Sequence, residues 1–221
     1  MKPYYEHAGI TIYHGDCRDF LPVIAALSSN GILLTDPPYG ISHNSGHGAS
    51  WSGTEIQGDE DTSLRDGVLD VWLPSPAFVF GTWKVDRPKV TRQVLIWDKG
   101  PAFGMGDLSF PWKNSFEEIY VLGSGFGGTR DEAVLRGHIV VSWESKGRVH
   151  PNEKPISLLK YLISKANADC WRDIVCDPFM GSGTTLRAAK DLGRRAIGIA
   201  IEEKYCEIAA KRLSQEVLSF D

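Results

Sequence analysis

The fold is decided by the segment Ile174-Val175-Cys176-Asp177-Pro178-Phe179-Met180-Gly181-Ser182-Gly183-Thr184-Thr185. Its first three residues are apolar and predict a buried strand that ends at Asp177. Gly181 and Gly183 predict a tight turn that opens a helix. The start of a helix presents free backbone amides and the positive end of its dipole, so this turn suits a ligand with an anionic group.

A second segment of the same kind lies near the N-terminus and reads Thr35-Asp36-Pro37-Pro38-Tyr39-Gly40. It follows another short apolar run, Ile32-Leu33-Leu34, which also predicts a buried strand. Ligands of open parallel sheets bind just beyond the carboxyl ends of the strands. We therefore expect the two segments to lie on one rim of the sheet and to face one cleft.

Apolar patterning along the chain predicts strands and helices that alternate. The predicted strands span residues 10–13, 32–34, 76–81, 94–97, 118–122, 174–176 and 195–201. The predicted helices span residues 19–27, 64–73, 184–192 and 205–218, and a further helix begins at Pro155. This alternation is typical of an α/β fold with a doubly wound, mostly parallel sheet.

The length of the chain predicts a single domain over residues 1–221, with a substantial core. Residues 41–62 are rich in Gly, Ser, His and acidic residues, so we expect a mobile, functional loop there. Residues 123–150 are irregular and contain glycine and arginine. They are the candidate for a short functional insertion, which contains the basic residues Arg130, Arg136, Lys146 and Arg148.

Composition excludes several classes of protein. Hydrophobic residues make up 42% of the chain and charged residues 24%, which indicates a globular protein. No apolar run approaches the roughly 20 residues of a membrane span, and the first residues lack the apolar stretch of a signal peptide. These features predict a cytoplasmic protein. The four cysteines have neither a Cys-x-x-Cys pair nor zinc-type spacing, so no metal site is predicted.

The formal net charge of −4 does not by itself suggest a nucleic-acid partner. Residues 1–83 carry three Lys/Arg against ten Asp/Glu, whereas residues 84–150 carry ten against eight. The remainder of the chain carries eleven against ten, so no segment is strongly basic. A function on nucleic acid therefore has to be argued from the two motifs.

Together the two motifs resemble those of the DNA amino-methyltransferases, which transfer a methyl group from S-adenosylmethionine to an exocyclic amine of adenine or cytosine. The acceptor motif precedes the cofactor motif, as in the permuted branch called beta. The resemblance extends from about Ile10 to about Leu213, which is nearly the whole chain. It implies a seven-stranded, Rossmann-like sheet, S-adenosylmethionine as cofactor and double-stranded DNA as partner. It also makes residues 123–150 the candidate target-recognition insertion, with Arg130, Arg136, Lys146 and Arg148 as candidate contacts with DNA.

In the acceptor motif, the resemblance implies that two oxygen atoms accept the hydrogens of the target amine. These are the Asp36 carboxylate and the Pro37 carbonyl, and Pro38 fixes the turn that aims them, because proline restricts φ. Tyr39 is implied to stack on the base, which has to leave the duplex to reach the pocket. Gly40 allows a close approach of the backbone.

In the cofactor motif, the resemblance implies that Asp177 meets the methionine ammonium or the ribose. The other implied cofactor contacts in this motif are Pro178, Phe179, Gly181, Ser182, Gly183 and Thr184. The segment His150-Pro151-Asn152-Glu153-Lys154-Pro155 resembles the one that borders the methionine end of the cofactor, which makes His150 and Lys154 candidates. Asp16 resembles the acidic residue beside the cofactor adenine.

One position departs from the family pattern. Relatives usually carry an acidic residue at the position of Ala200, where it binds the two ribose hydroxyls, and alanine cannot do so. Losing a charged hydrogen-bond partner costs about 1.5–3 kcal/mol. Glu202 lies two residues further along the predicted strand, on the same face, and is the candidate substitute.

These observations leave three interpretations of the function. Aspartate at the first position of the acceptor motif is typical of adenine-N6 enzymes, so site-specific adenine methylation, as in restriction–modification, is favoured. A cytosine-N4 enzyme is the first alternative. A DNA-binding protein with turnover impaired by Ala200 is the second. A chain of this length predicts a short recognition site, or a homodimer that contacts more DNA, in a bacterial or phage-infected cell.

Overall fold

The structure is a computed structural model that describes residues 2–39, 61–100, 108–138, 153–166 and 174–214. Within these ranges, nine strands form one sheet. In chain order they are β1 (Tyr5–His7), β2 (Ile10–His14), β3 (Gly31–Thr35), β4 (Ala77–Gly81), β5 (Gln93–Asp98), β6 (Phe116–Leu122), β7 (Val134–Leu135), β8 (Ile174–Asp177) and β9 (Arg195–Ala200).

The sheet is mostly parallel, as the alternation of elements predicts. Its strand order is β1-β2-β9-β8-β3-β4-β6-β5-β7. All neighbours from β2 to β4 pair in parallel, and so do β5 and β7. Only β1 and β6 run in the opposite direction among the described strands. The seven longer strands match the expected number, and the short strands β1 and β7 add one at each edge.

Helices cover both faces of the sheet, which makes the fold doubly wound. They are α1 (Leu21–Leu27), α2 (Ser63–Trp72), α3 (Ile156–Lys165), α4 (Thr184–Asp191) and α5 (Glu203–Ser214). On one face α1 and α2 pack through residues such as Ile24 and Trp72. On the other face α3, α4 and α5 pack through residues such as Leu158, Leu186 and Ala209. The predicted α/β class is thus confirmed.

The structure differs from the predicted elements mainly at their ends and edges. The helix expected at residues 19–27 begins with a 3₁₀ turn, Cys17–Phe20, before α1. The strand expected to continue to Ile201 ends at Ala200. Neither β1 nor β7 was predicted, because strands of two or three residues are too short to show a periodic pattern.

Parts of the predicted domain organisation fall outside the described residues. Of the loop expected at residues 41–62, only Asp61 and Thr62 are described, and they precede α2. Of the insertion expected at residues 123–150, the structure describes residues 123–138, which include β7. Within the described ranges, no helix has the length and apolar character that crossing a membrane requires.

Strand β3 is fully buried at the centre of the sheet, and its first residue has no room for a side chain. A Cβ at Gly31 would lie 2.7 Å from the carbonyl oxygen of Leu27 and 2.7 Å from the ring of Trp72. Gly67, in α2, has no atom within 4 Å of an added Cβ. The position of β3, the strand that precedes Asp36, therefore depends on a close approach of the Gly31 backbone to the Trp72 indole.

We expect Gly31→Ala to lower the free energy of unfolding by about 1–3 kcal/mol, the usual cost of overpacking a core. Gly67→Ala is the matched control, and we expect it to raise the free energy by up to about 1 kcal/mol, because alanine favours a helix over glycine. Urea denaturation of both variants measures these changes. A Gly31→Ala protein as stable as the parent would contradict the close approach.

Candidate active site

The carboxyl ends of the four parallel strands β2, β9, β8 and β3 form one continuous rim. Along this rim the strands end at or next to Asp16, Ala200, Asp177 and Asp36, in that order. The two motifs thus lie beside each other, because β3 and β8 are hydrogen-bonded neighbours. The expectation that both lie on one rim of the sheet is confirmed.

A buried hydrogen bond joins the two motifs directly. The Thr35 hydroxyl donates to Oδ1 of Asp177 at 2.7 Å, and both side chains are almost fully buried. The same Asp177 oxygen accepts from the backbone amide of Phe179 at 3.2 Å. The residue that precedes the acceptor aspartate therefore fixes the carboxylate of the cofactor motif.

The Asp177 carboxyl is held at an energetic cost. Burial raises its pKa to about 6, although hydrogen bonds from Thr185, Thr35 and the Phe179 amide lower the pKa in part. A buried carboxylate that is held mainly by neutral donors is suited to bind a cationic group. The ammonium of the methionine part of the cofactor is such a group, so the chemistry of this position fits the predicted cofactor.

The glycine turn after β8 has the shape expected for a helix that begins at a ligand. Gly183 caps α4 in the left-handed region, with φ of 78°, and a Cβ there would lie 2.7 Å from the Cβ of Ala209. The backbone amide of Met180 donates to the carbonyl of Ile199 on the neighbouring strand at 3.1 Å. These contacts hold the first amides of α4 at the rim.

Sequence analysis missed a cluster that supports this turn. The Ser182 hydroxyl donates to Oε1 of Glu153 at 2.6 Å, and the Arg212 guanidinium donates to the same oxygen at 2.6 Å. Arg212 also donates to the Ser182 hydroxyl at 3.1 Å. Glu153 precedes α3 and Arg212 lies on α5, so these contacts tie two separate segments of the chain to the turn.

The acceptor motif presents a carboxylate with both oxygens engaged. Oδ1 of Asp36 accepts from the Tyr39 hydroxyl at 2.8 Å, and Oδ2 lies 2.8 Å from the Lys154 ammonium. Burial and the neighbouring Asp36 charge raise the pKa of Tyr39 well above its ordinary value, so the phenol remains a hydrogen-bond donor. Pro37 and Pro38 join these two residues in a segment without regular structure.

Lys154 contacts the acceptor motif directly. Its ammonium lies between Asp36 and Glu117, 2.9 Å from the latter. Its place beside the methionine end of the cofactor stays a prediction. The ammonium also lies 4.9 Å from the centre of the Phe80 ring. In this structure Lys154 therefore belongs to the acceptor half of the site. His150, from the same segment, lies outside the described residues.

The adenine end of the predicted cofactor site is built around Asp16. Its carboxylate accepts from Nε and Nη2 of Arg18, at 2.5–3.1 Å, and from the Arg18 backbone amide. The hydrogen bonds from Arg18 lower the pKa of Asp16, which is therefore ionised at neutral pH. Gly15 donates its amide to the carbonyl of Ala200 at 3.0 Å, which brings the ends of β2 and β9 together.

Ala200 and Glu202 do not reproduce the geometry expected from a continuing strand. Ala200 is buried and packs with the core on the α3–α5 face. Because β9 ends there, the alternation of strand side chains does not extend to Glu202. The Glu202 carboxylate is paired with the Lys204 ammonium. Its role as a substitute for the missing acid stays a prediction.

Comparisons with known proteins identify the family of this chain. A family model described as "DNA methylase" matches residues 110–211. The chain is 47% identical to the type II methyltransferase M2.DpnII of Streptococcus pneumoniae, over 97% of this chain and 93% of that protein. It is 39% identical, with the same coverages, to M2.LlaDCHI of Lactococcus lactis subsp. cremoris. The chain belongs to the S-adenosylmethionine-dependent DNA amino-methyltransferases.

Solved structures support the fold of this methyltransferase. The complex of M1.HpyAVI with S-adenosylmethionine has a TM-score of 0.60 at 23% identity and covers 92% of this chain and 99% of that one. The cytosine-N4-specific PvuII DNA methyltransferase has a TM-score of 0.66 at 16% identity, covering 99% and 91%. The methyltransferase thus has the Rossmann-like sheet of its family. Its use of S-adenosylmethionine follows from its membership of the family.

Glu117 and Lys99 also went unnoticed in the sequence. Lys99 forms an ion pair with Glu117, which in turn contacts Lys154. The available signal was the pair Glu117-Glu118 at the start of an apolar strand, because two carboxylates beside a buried run require partners. Glu118 indeed pairs with Arg87 at 2.6 Å, on the opposite face of the strand.

The raised pKa of Asp177 predicts a pH dependence of stability in the absence of cofactor. An unfolded aspartate ionises near pH 4 and the folded one near pH 6, so the folded state holds its proton more tightly. The Asp177 contribution to stability should fall as the pH rises through this window, by up to about 3 kcal/mol. The substitution Asp177→Asn should remove this fall. Urea denaturation at pH 4 to 8 measures the difference, and parallel pH profiles would contradict the assignment.

Proposed function

We propose that this methyltransferase transfers the methyl group of S-adenosylmethionine to the exocyclic N6 amine of adenine in DNA. The observation that carries the proposal is aspartate, rather than serine, at the first position of the acceptor motif. The structure supports a role for this carboxylate, since Asp36 lies at the end of β3, next to the cofactor motif on β8. Cytosine N4 would meet the same acceptors and is the alternative.

The acceptor motif would activate an amine that is a poor nucleophile because its lone pair is delocalised into the ring. Asp36 and the Pro37 carbonyl accept the two amine hydrogens, which lets the nitrogen turn its lone pair towards the methyl carbon. Asp36 would accept one proton as the nitrogen gains the methyl group that the sulfonium releases, and the other hydrogen would remain on the nitrogen. When bound, S-adenosylmethionine supplies the electrophilic methyl group, so no strong base is needed and alignment provides much of the acceleration.

Entry of the base would replace one hydrogen-bond partner of Asp36. Oδ1 accepts from the Tyr39 hydroxyl, 2.8 Å away, whereas Oδ2 is held by Lys154. The incoming amine therefore competes with a phenol for Oδ1 and leaves the ammonium in place. Displacing the phenol frees the Tyr39 ring to stack on the flipped base, and stacking of this kind contributes about 1–3 kcal/mol.

The cofactor would bind along the rim from β8 to β2. Asp177 suits the methionine ammonium, and the amides of residues 181–184 suit its carboxylate, because they lie at the start of α4. Asp16 is positioned at the far end of this rim, where the resemblance expects the adenine. The order of the strands thus matches the order of the cofactor's parts from methionine to base.

DNA would approach the same rim from the solvent. Strand β5 ends and β6 begins there, and the segment between them exposes Leu108, Phe110 and Trp112, with Trp112 81% exposed. Exposed apolar groups of this size mark interaction surfaces. Of the basic candidates, Arg136 follows β7 at this rim but pairs with Glu132. Lys146 and Arg148 lie outside the described residues.

The identity of the methylated base is tested on mixed-sequence duplex DNA. We expect the methyltransferase to produce N6-methyladenine, which nuclease digestion and mass spectrometry of the nucleosides would detect. A preparation carrying Asp36→Asn is the control and should yield little or no product. N4-methylcytosine as the product would overturn the choice of base but leave the role of Asp36 intact.

Alanine at position 200, where relatives usually carry an acidic residue, predicts weaker cofactor binding than in those relatives. We expect Ala200→Glu to tighten S-adenosylmethionine binding by about 10- to 100-fold, the value of one charged hydrogen-bond partner. Ala200→Gln is the matched control of equal size without charge and should gain less. Titration calorimetry measures both affinities, and thermal unfolding reports any loss of stability at this buried position. Equal affinities of Ala200→Glu and the parent would refute the prediction that Ala200 weakens cofactor binding.

A further inference from the structure

Four charged side chains of alternating sign form a chain that ends at the acceptor carboxylate. Lys99, just after β5, pairs with Glu117 at the start of β6. Oε2 of Glu117 lies 2.9 Å from the Lys154 ammonium, which lies 2.8 Å from Oδ2 of Asp36. The side chains of Lys99, Glu117 and Lys154 are 12%, 18% and 7% exposed, so solvent screens these pairs only weakly.

Lys154 depends on both carboxylates for its charge. Burial favours its neutral form, but Asp36 and Glu117 outweigh burial and raise its pKa above the ordinary value. Glu117 is affected in the same manner, since burial opposes its charge while Lys154 and Lys99 lower its pKa. The ammonium is therefore shared between a carboxylate of the acceptor motif and one that belongs to neither motif.

We propose that Glu117 is a positioning residue for methyl transfer, which holds the Lys154 ammonium on Oδ2 of Asp36 and so keeps Oδ1 for the target amine. The inference rests on the proposed role of Asp36 as acceptor. Glu117 touches neither base nor cofactor in this scheme and acts only through Lys154. Lys99 completes the arrangement by balancing the second Glu117 oxygen.

The physical reason lies in how a single ammonium divides between two anions. With Glu117 in place, the Lys154 ammonium is attracted by two carboxylates, and this fixes the direction from which it contacts Asp36. Without that second anion, the ammonium would be free to move towards Oδ1 or to bridge both Asp36 oxygens. It would then occupy the position that the amine needs and would weaken the carboxylate as an acceptor.

Glu117→Gln tests the proposal, because it removes the charge and keeps the size. Its matched control is Glu118→Gln, at the next residue of β6, where the carboxylate pairs with Arg87 at 2.6 Å and accepts from the Tyr120 hydroxyl at 2.9 Å. Both variants lose a charge from a buried carboxylate on one strand. Of the two, Glu117 is the one connected to Asp36.

We expect Glu117→Gln to slow single-turnover methyl transfer at saturating DNA and cofactor by about 10- to 100-fold, the cost of misplacing reacting groups by up to an ångström. The dissociation constant of S-adenosylmethionine, measured by calorimetry, should change less than about twofold, since the cofactor contacts lie elsewhere on the rim. Glu117→Asp keeps the charge and should recover part of the rate. Glu118→Gln should transfer methyl groups at close to the parent rate.

The outcomes separate this inference from the proposed function. If Asp36→Asn abolishes transfer while Glu117→Gln keeps the parent rate, Asp36 is the acceptor and the positioning role of Glu117 is refuted. A fall in rate shared equally by Glu117→Gln and Glu118→Gln would indicate a general structural effect and would also refute it. If Asp36→Asn retains full activity, the proposed acceptor itself is wrong.

Discussion

The parallel pairing of β3 with β8 is the constraint on which the rest of the site depends. It places the ends of two strands, distant in sequence, side by side, and the hydrogen bond from Thr35 to Asp177 fixes their relative position. Because this bond is buried, its loss would leave a charged or polar atom without compensation. The relative position of the two motifs is therefore set by the sheet itself, through the pairing of its two central strands.

Charge is organised differently in the two halves of the site. The acceptor half contains paired charges, so Asp36, Lys154 and Glu117 stabilise one another within it. In the cofactor half, Asp177 is buried with neutral donors, and burial raises its pKa. A buried carboxylate surrounded by neutral donors is suited to a cationic ligand, and this asymmetry agrees with the family's use of S-adenosylmethionine.

The sequence predicted most of the architecture and both motifs, because β3 and β8 are continuous apolar runs that end at polar residues with strict backbone requirements. It could not predict that Lys154 contacts Glu117. That contact depends on the pairing of β6, which carries Glu117, with β4, and both strands are far from Lys154 in the chain. The same limit applies to Arg212 and Glu153, which meet only after α5 folds against the turn. Local patterns identify segments that bear chemistry, whereas tertiary packing decides which charges they meet.

The contact between Gly183 and Ala209 carries a consequence for variation in this family. Since the turn and α5 approach so closely, the side-chain volume at Ala209 is restricted by a backbone that lies one helix earlier in the chain. A bulkier side chain at that helical position would push on the amides at the start of α4. Larger side chains at position 209 should therefore be excluded by the shape of the glycine turn, although Ala209 lies in a different helix from the one that the turn begins.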